Sequence, residues 1–183
     1  MRTFIAVDIS AGAIAKLQNE IMSSAGWNPN EVKPVATQNF HFTLIFLGEK
    51  NDTDVGRIKE KMAEIPFEPF TLTYSNVGAF PKPAAARVIW IGVDQEGSQK
   101  LIALANDVVA KMATLGFSAD KPFSPHMTIF RVRGLPIQVS GITAKYQGRT
   151  FGSDLIDRMQ LKKSDLSRSG PTYSNIYTVE AKK

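Results

Sequence analysis

The sequence has no cysteine and only two histidines in 183 residues. Without thiols there is no disulfide, no iron–sulfur cluster and no thiolate zinc site. Two histidines fall short of the three or four ligands that zinc wants, and neither sits in a motif with a built-in acid. No metal site is therefore expected, and no cofactor. No apolar run approaches the roughly 20 residues needed to cross a bilayer, so no membrane is expected either. The opening Met1–Asp8 stretch has a short apolar run that closes on an acid, which reads as a strand and not as a signal peptide. With no export signal, the cytoplasm is the expected location. There is no G-x-S-x-G elbow, no Walker loop and no G-x-G-x-x-G, which removes serine hydrolysis and the common nucleotide-binding loops. Glycines such as Gly97 and Gly116 read as turns and caps.

What is present is ordinary in bulk. The chain is 43% hydrophobic and 21% charged, as globular domains are. Its length is ample for one core and allows two small lobes. The net charge of +5 leans toward anionic partners such as nucleic acid.

Phe4 to Ile9 reads as the first strand. A helix is expected over Ala11 to Ser23, capped by Ser10, with Ile14, Leu17 and Ile21 on one stripe. Gly26 to Thr37, with two prolines and two asparagines, reads as a loop. A strand from Phe40 ends at Gly48. Asp52 or Thr53 is expected to cap a helix to about Glu64, with Val55, Ile58 and Met62 inward. Phe70 to Tyr74 reads as a strand, and Gly78 to Pro83 as a loop. Arg87 to Val93 is a strand, Ser98 to Leu115 the longest helix, and Lys121 to Pro125 an extended approach to the next strand. Leu135 to Gly148 gives no clear pattern. Asp154 to Leu161 and Asn175 to Glu180 read as strands.

Both histidines fall in the same layout. His41-Phe42-Thr43-Leu44 and His126-Met127-Thr128-Ile129 each put a threonine two residues after a histidine in an apolar strand. Period-two geometry turns each pair to one face. Threonine fills 12 of the 183 positions, so two such pairs arise by chance with a frequency of about 0.4%. The motifs are 85 residues apart, near half the chain, and each follows a strand and a helix. That suggests two similar α+β lobes with a cleft between them. Two histidines across a cleft can form a general acid–base pair, one neutral and one charged near neutrality. Two threonine hydroxyls can each donate to a non-bridging oxygen of an anion. The set matches a phosphodiester, whose transition state gathers negative charge on those oxygens.

These motifs resemble those of the two-histidine phosphoesterases, within them the RNA 2′,3′-cyclic phosphodiesterases, also called 2′-5′ RNA ligases. The resemblance runs along nearly the whole chain: Arg2–Asp8, Asn39-Phe40-His41 leading to Phe46–Glu49, Gly78–Pro81, Arg87–Val93, Pro125–Thr128, Ser164-Asp165-Leu166 and Gly170–Tyr173. It implies an α+β, bilobal fold of two pseudo-symmetric lobes, with antiparallel sheets around a central cleft, and a single domain over residues 1–183. It implies opening of an RNA terminal 2′,3′-cyclic phosphate to a 2′-phosphate, with His41 as proton donor and His126 as proton acceptor. RNA ends, tRNA fragments among them, are the implied partner of a monomer. The residue chemistry alone supports a pair and leaves the two roles open. It also leaves open 2′-5′ ligation, in which a ribose hydroxyl replaces water, opening of small cyclic nucleotides, and a module that only binds RNA ends.

Around this core of Thr43, Thr128 and the histidines, Arg131 is a further phosphate-binding candidate. It is three residues after Thr128, so strict alternation puts it on the opposite face unless the strand twists, bulges or ends. Phe46 is likewise out of phase with His41 and reads as core, with base stacking as the other reading. Tyr173 and Arg87 are candidates for the cleft wall, and Lys162-Lys163 reads as a solvated end.

Overall fold

The computed structural model describes residues 1–167 and 170–182. The elements in order are β1 (Arg2–Asp8), α1 (Gly12–Ala25), β2 (Val32–Pro34), a 3₁₀ turn (Thr37–Asn39), β3 (His41–Glu49), α2 (Asp52–Ala63), β4 (Phe70–Lys82), β5 (Ala85–Val93), α3 (Gln95–Ala113), β6 (Met127–Val132), α4 (Ser140–Lys145), β7 (Thr150–Ile156), β8 (Arg158–Ser167) and β9 (Gly170–Glu180). They form two antiparallel sheets, β3-β1-β8-β9 and β2-β6-β5-β4-β7. This is the α+β, two-lobed arrangement expected from the half-chain spacing. No helix is long and apolar enough to cross a membrane among the described residues.

The lobes follow one plan. β1 leads through α1 to β3, its antiparallel neighbour; β5 leads through α3 to β6, its antiparallel neighbour. In each lobe a helix links a strand to its neighbour, the histidine strand; α1 lies against β7 of the other sheet, and α3 against β4 and against β3 of the other sheet. The helices do this with a single apolar stripe. Ile14, Leu17 and Ile21 are buried on α1, and Leu101, Leu104, Ala105, Val108 and Met112 on α3. These stripes and the inner sheet faces make one continuous hydrophobic cluster. Gly97 belongs to the fit: a Cβ there would lie 2.9 Å from Leu72, so α3 starts against β4.

Several local expectations are corrected. Ser10 does not cap α1; its hydroxyl donates to Asp154 at 2.5 Å, and Ala11 stands at the cap without a side-chain bond. Asn51, one residue before the expected cap, accepts from the Asp54 amide and starts α2. The loop expected over Gly26–Thr37 contains the short edge strand β2, which ends on a proline that needs no further amide partner. The loop expected over Gly78–Pro83 is largely strand: β4 runs to Lys82, with Pro81 at a register shift against β5. The strand expected over Asp154–Leu161 is two strands meeting at Asp157. The unassigned Leu135–Gly148 stretch contains α4.

The sheets join where β2 hands over to β3. β2 pairs with β6 in one sheet, and after the 3₁₀ turn the same chain becomes the edge strand β3 of the other. Gln18 of α1 braces this seam. Its side-chain amide, almost wholly buried, donates to the carbonyls of Val35 at 2.9 Å and Ile129 at 2.7 Å. Replacing Gln18 with Met keeps the volume but removes the donors from two carbonyls. The expected outcome is a loss of about 1–3 kcal/mol, read as a lower urea midpoint at unchanged m-value.

Candidate functional site

The two histidine strands are built alike, residue by residue. Over 41–46 and over 126–131 the burial runs half-buried, buried, half-buried, buried, buried, exposed. The alternation lasts through each threonine and then breaks. In β3 the pairing with β1 steps from Ile5–Ile45 to Ala6–Thr43, leaving Leu44 as an extra residue. In β6 the pairing with β5 steps from Ile89–Phe130 to Trp90–Thr128, leaving Ile129 as the extra residue. Each strand therefore has a β-bulge immediately after its threonine.

The bulge decides what faces the cleft. Antiparallel partners share a face, and so do residues two apart. His41, Thr43 and Phe46 lie opposite Asp8, Ala6 and Phe4 on β1, so all three point the same way. Thr128 and Arg131 lie opposite Trp90 and Val88 on β5, so they too share a face. Arg131 thus reaches the threonine side by the bulge that strict alternation lacks. Phe46 is corrected: it is not core but 66% exposed on the His41 face, 5.8 Å from the Phe4 ring. β3 and β6 approach each other across the seam, which brings the Arg131 charge within reach of His41.

Each imidazole is held by a backbone carbonyl two residues earlier. Nδ1 of His41 lies 2.7 Å from the Asn39 oxygen, and Nδ1 of His126 lies 2.7 Å from the Ser124 oxygen. A carbonyl has no proton to give, so Nδ1–H donates in both, and Nε2 is left to face the cleft. Nε2 of His41 is 2.9 Å from Oγ1 of Thr43. Aromatic edges pack both rings. Tyr173 meets His41 at 5.2 Å and Phe4 at 5.0 Å; Phe80 meets His126 at 5.0 Å, and Trp90 meets it at 6.4 Å. Tyr173 is therefore part of the wall. Arg87 is not: it points outward and donates to the Gly134 carbonyl at 2.9 Å.

His41 stands among charged groups. His41 is pushed down to about 4, chiefly because burial disfavours the imidazolium. The Asn39 carbonyl opposes this, Lys162 and Arg131 add to it, and Asp8 opposes it. Lys162 is the other correction. It is not a solvated end but 5% exposed, with Nζ at 2.7 and 2.8 Å from the Asp8 carboxylate and 2.6 Å from Asn175 Oδ1. Asp8, Lys162 and Asn175 were missed as site residues. The one sequence signal was Asp8 itself, an acid closing an apolar strand. Among the described residues, no three His, Asp or Glu side chains gather as a metal would need.

The chain matches the LigT-like phosphoesterase family model twice, over residues 7–90 and 91–173, one histidine strand in each half. It is 39% identical to an RNA 2′,3′-cyclic phosphodiesterase of Archaeoglobus fulgidus, covering 98% of this chain and 100% of that protein. It is 34% identical to one of Aeropyrum pernix, covering 93% and 96%. Among solved structures it is similar to Escherichia coli LigT complexed with 3′-AMP, at a TM-score of 0.76 and 26% identity, covering 100% and 98%. With one motif-bearing match in each half and relatives that align end to end, the chain belongs to the LigT-like two-histidine phosphoesterases.

Proposed function

We propose that this protein is a metal-independent RNA 2′,3′-cyclic phosphodiesterase that opens the terminal cyclic phosphate to a 2′-phosphate. The observation that carries the reading is the duplicated device: two His-x-Thr strands with the same burial, the same carbonyl behind Nδ1 and the same bulge. The names of its relatives agree with it. Residues 1–183 act as one domain whose lobes each supply half of the site, so one chain suffices and a monomer is the working unit. RNA ends, tRNA fragments among them, are the partner class, and the cytoplasm is where the protein would meet them.

His126 takes a proton from water as the water oxygen attacks phosphorus. The bond from phosphorus to the 3′ oxygen breaks, and His41 gives its Nε2 proton to that oxygen. The product is a 2′-monoester and a free 3′ hydroxyl. Thr43 and Thr128 donate to the non-bridging oxygens, and the Arg131 guanidinium adds positive charge as negative charge builds there. The Thr43 hydroxyl has two possible directions. Beside a neutral His41 it donates to Nε2; once Nε2 carries a proton, Nε2–H donates to Oγ1 and the hydroxyl proton is released toward the phosphate. Loading the acid thus also turns Thr43 toward the substrate.

A proton donor held near 4 is empty at neutral pH, so substrate must help to charge it. A phosphodiester monoanion arriving beside Nε2 favours the imidazolium and raises its pKa. The His41 ring should titrate near pH 4 in the free protein and move upward when inorganic phosphate is added, read by NMR of the ring protons. An unmoved titration would remove His41 as the donor. The same depression has a stability consequence. The unfolded chain takes up a proton near pH 6.5 and the folded chain does not until about 4, so this contribution is present above pH 6.5 and lost on the way to pH 4. Wild type should lose more stability between pH 7 and pH 4 than His41→Asn, by urea titration.

Turnover itself is tested with a short RNA ending in a 2′,3′-cyclic phosphate in excess EDTA. Wild type should yield the 2′-phosphate, and His41→Ala and His126→Ala should each lose about 10²–10⁴-fold in kcat. On a p-nitrophenyl phosphodiester, whose leaving group needs no proton, His41→Ala should recover and His126→Ala should not. Recovery of His126→Ala alone would reverse the roles, and equal loss of both would refute the division.

A further inference from the structure

Beside His126 lies a cavity of about 600 Å³ that the reaction described above does not use. Its near wall is shared with the site. Ser124, whose carbonyl holds His126, and Trp90, whose ring touches it, both line the cavity. Its far wall is Asn76 of β4, Ser98 of α3, and Thr143 and Gln147 at α4. The volume lies within the roughly 300–1,000 Å³ range of small-ligand sites.

The lining is polar without charge: no acidic or basic side chain is among it. A phosphate would find no counter-charge there, but a nucleobase edge or a ribose hydroxyl would find neutral donors and acceptors. Several of these are unspent. Ser98, Ser124 and Gln147 make no side-chain hydrogen bond to another described residue. The Trp90 N–H is not one of them: it is buried on the Gly78 side of the ring, away from Gly92, so the indole offers the cavity ring surface and no donor.

The indole is also placed with care. A Cβ at Gly78 would lie 2.1 Å from its ring, so that glycine is needed for it to lie down on the sheet. Asn76 adds a left-handed backbone, φ 60°, at a residue other than glycine, with its Oδ1 accepting from the Gly148 amide at 2.7 Å. Such a conformation persists where the surroundings impose it, often at binding sites. A cavity of about 340 Å³ near Asp8 is a poorer rival for RNA: Asp8, Asp154 and Asp157 line it against the single cation Arg158, which Asp157 engages.

We infer that the Trp90 cavity binds a nucleoside, adjoining the nucleotide that carries the cyclic phosphate in the cleft. This rests on the phosphodiesterase reading, which makes RNA the ligand. The nucleoside has two sources: the preceding nucleotide of the same strand, or the first nucleoside of a second strand with a free 5′ hydroxyl. Both present the same uncharged base and ribose.

The test compares a 2′,3′-cyclic mononucleotide with a dinucleotide ending in a 2′,3′-cyclic phosphate, for wild type, Trp90→Phe and Gln147→Ala. Wild type should show a KM for the dinucleotide at least tenfold below that for the mononucleotide, and each variant should shrink that ratio severalfold. A second readout needs no turnover. The chain has two tryptophans, so the Trp90 indole N–H resonance is identified by its survival in Trp27→Phe. It should move on adding the dinucleotide if the same strand fills the cavity. If a second strand does, it should move on adding a free nucleoside to protein saturated with a 2′-nucleotide, and the KM ratio should stay near one. An indole resonance that neither ligand moves, with a KM ratio near one, overturns the inference while leaving the phosphodiesterase reading intact. Failure of every substrate to turn over sinks that reading instead, and the indole resonance still decides whether the cavity takes a nucleoside.

Discussion

Each histidine strand carries one extra residue just past its threonine, and the position of that bulge decides what else can reach the cleft. A regular strand would offer His, Thr and the residue after next, and would bury the fifth residue after the histidine. With Leu44 and Ile129 inserted, Phe46 and Arg131 come to the face instead. The bulge has its own needs, because an extra residue leaves a carbonyl outside the ladder. In β6 that carbonyl belongs to Ile129, and it accepts from the Val35 amide at 2.9 Å and from Gln18 at 2.7 Å. The bulge on one sheet is thus held by the chain that is about to become β3 on the other. The same hydrogen bonds that shape one half of the site tie it to its partner strand.

Two copies of one device would give two identical histidines, and a reaction that moves a proton in at one side and out at the other needs them to differ. The difference comes from what packs behind them. His41 sits against Phe4 and Tyr173, with the Lys162–Asp8–Asn175 cluster on its own sheet face. Burial and the Lys162 ammonium both work against a charged ring there, with Asp8 as a counterweight. A lysine this buried persists only with an acid in reach, and Asp8 meets it with both carboxylate oxygens. On the mechanism proposed above, its consequence for His41 is a proton affinity that would rise when an anion enters the cleft.

The histidine pairs could be read from the sequence because period two is a property of any strand and needs no partner. Both bulges were invisible. Leu44-Ile45 and Ile129-Phe130 are adjacent apolar pairs, as compatible with a regular strand between two layers as with a bulge. That is why Phe46 reads as core and Arg131 as out of phase until the pairing with β1 and β5 is known. Lys162 fails for another reason. Leu161-Lys162-Lys163 has the local look of a solvated end, and the acid that makes its burial tolerable lies at position 8, on a strand paired across the sheet. β4 was cut short because Gly78, Pro81 and Pro83 mark turns in most chains. Here Gly78 is the space that Trp90 occupies, and Pro81 sits at a register shift near the hairpin end, where a missing amide costs the ladder little.

The same asymmetry bears on how a long anion can lie in the cleft. On the His41 side the hollow next to the site is rimmed by Asp8, Asp154 and Asp157 with Arg158 as the one cation; Asp154 is engaged by Ser10 and Tyr74, Asp8 by Lys162 and Asp157 by Arg158. A polyanion gains nothing by continuing that way. On the His126 side the wall is aromatic and amide, with Phe80 and Trp90 flanking the imidazole and Arg131 exposed on the same sheet face. Phosphate charge is met at the seam, where Arg131 stands, and neutral groups are met beyond it. On the reading proposed above, a strand entering with its cyclic end between the two histidines would have its charge met at Arg131 and its bases at the neutral hollow beyond.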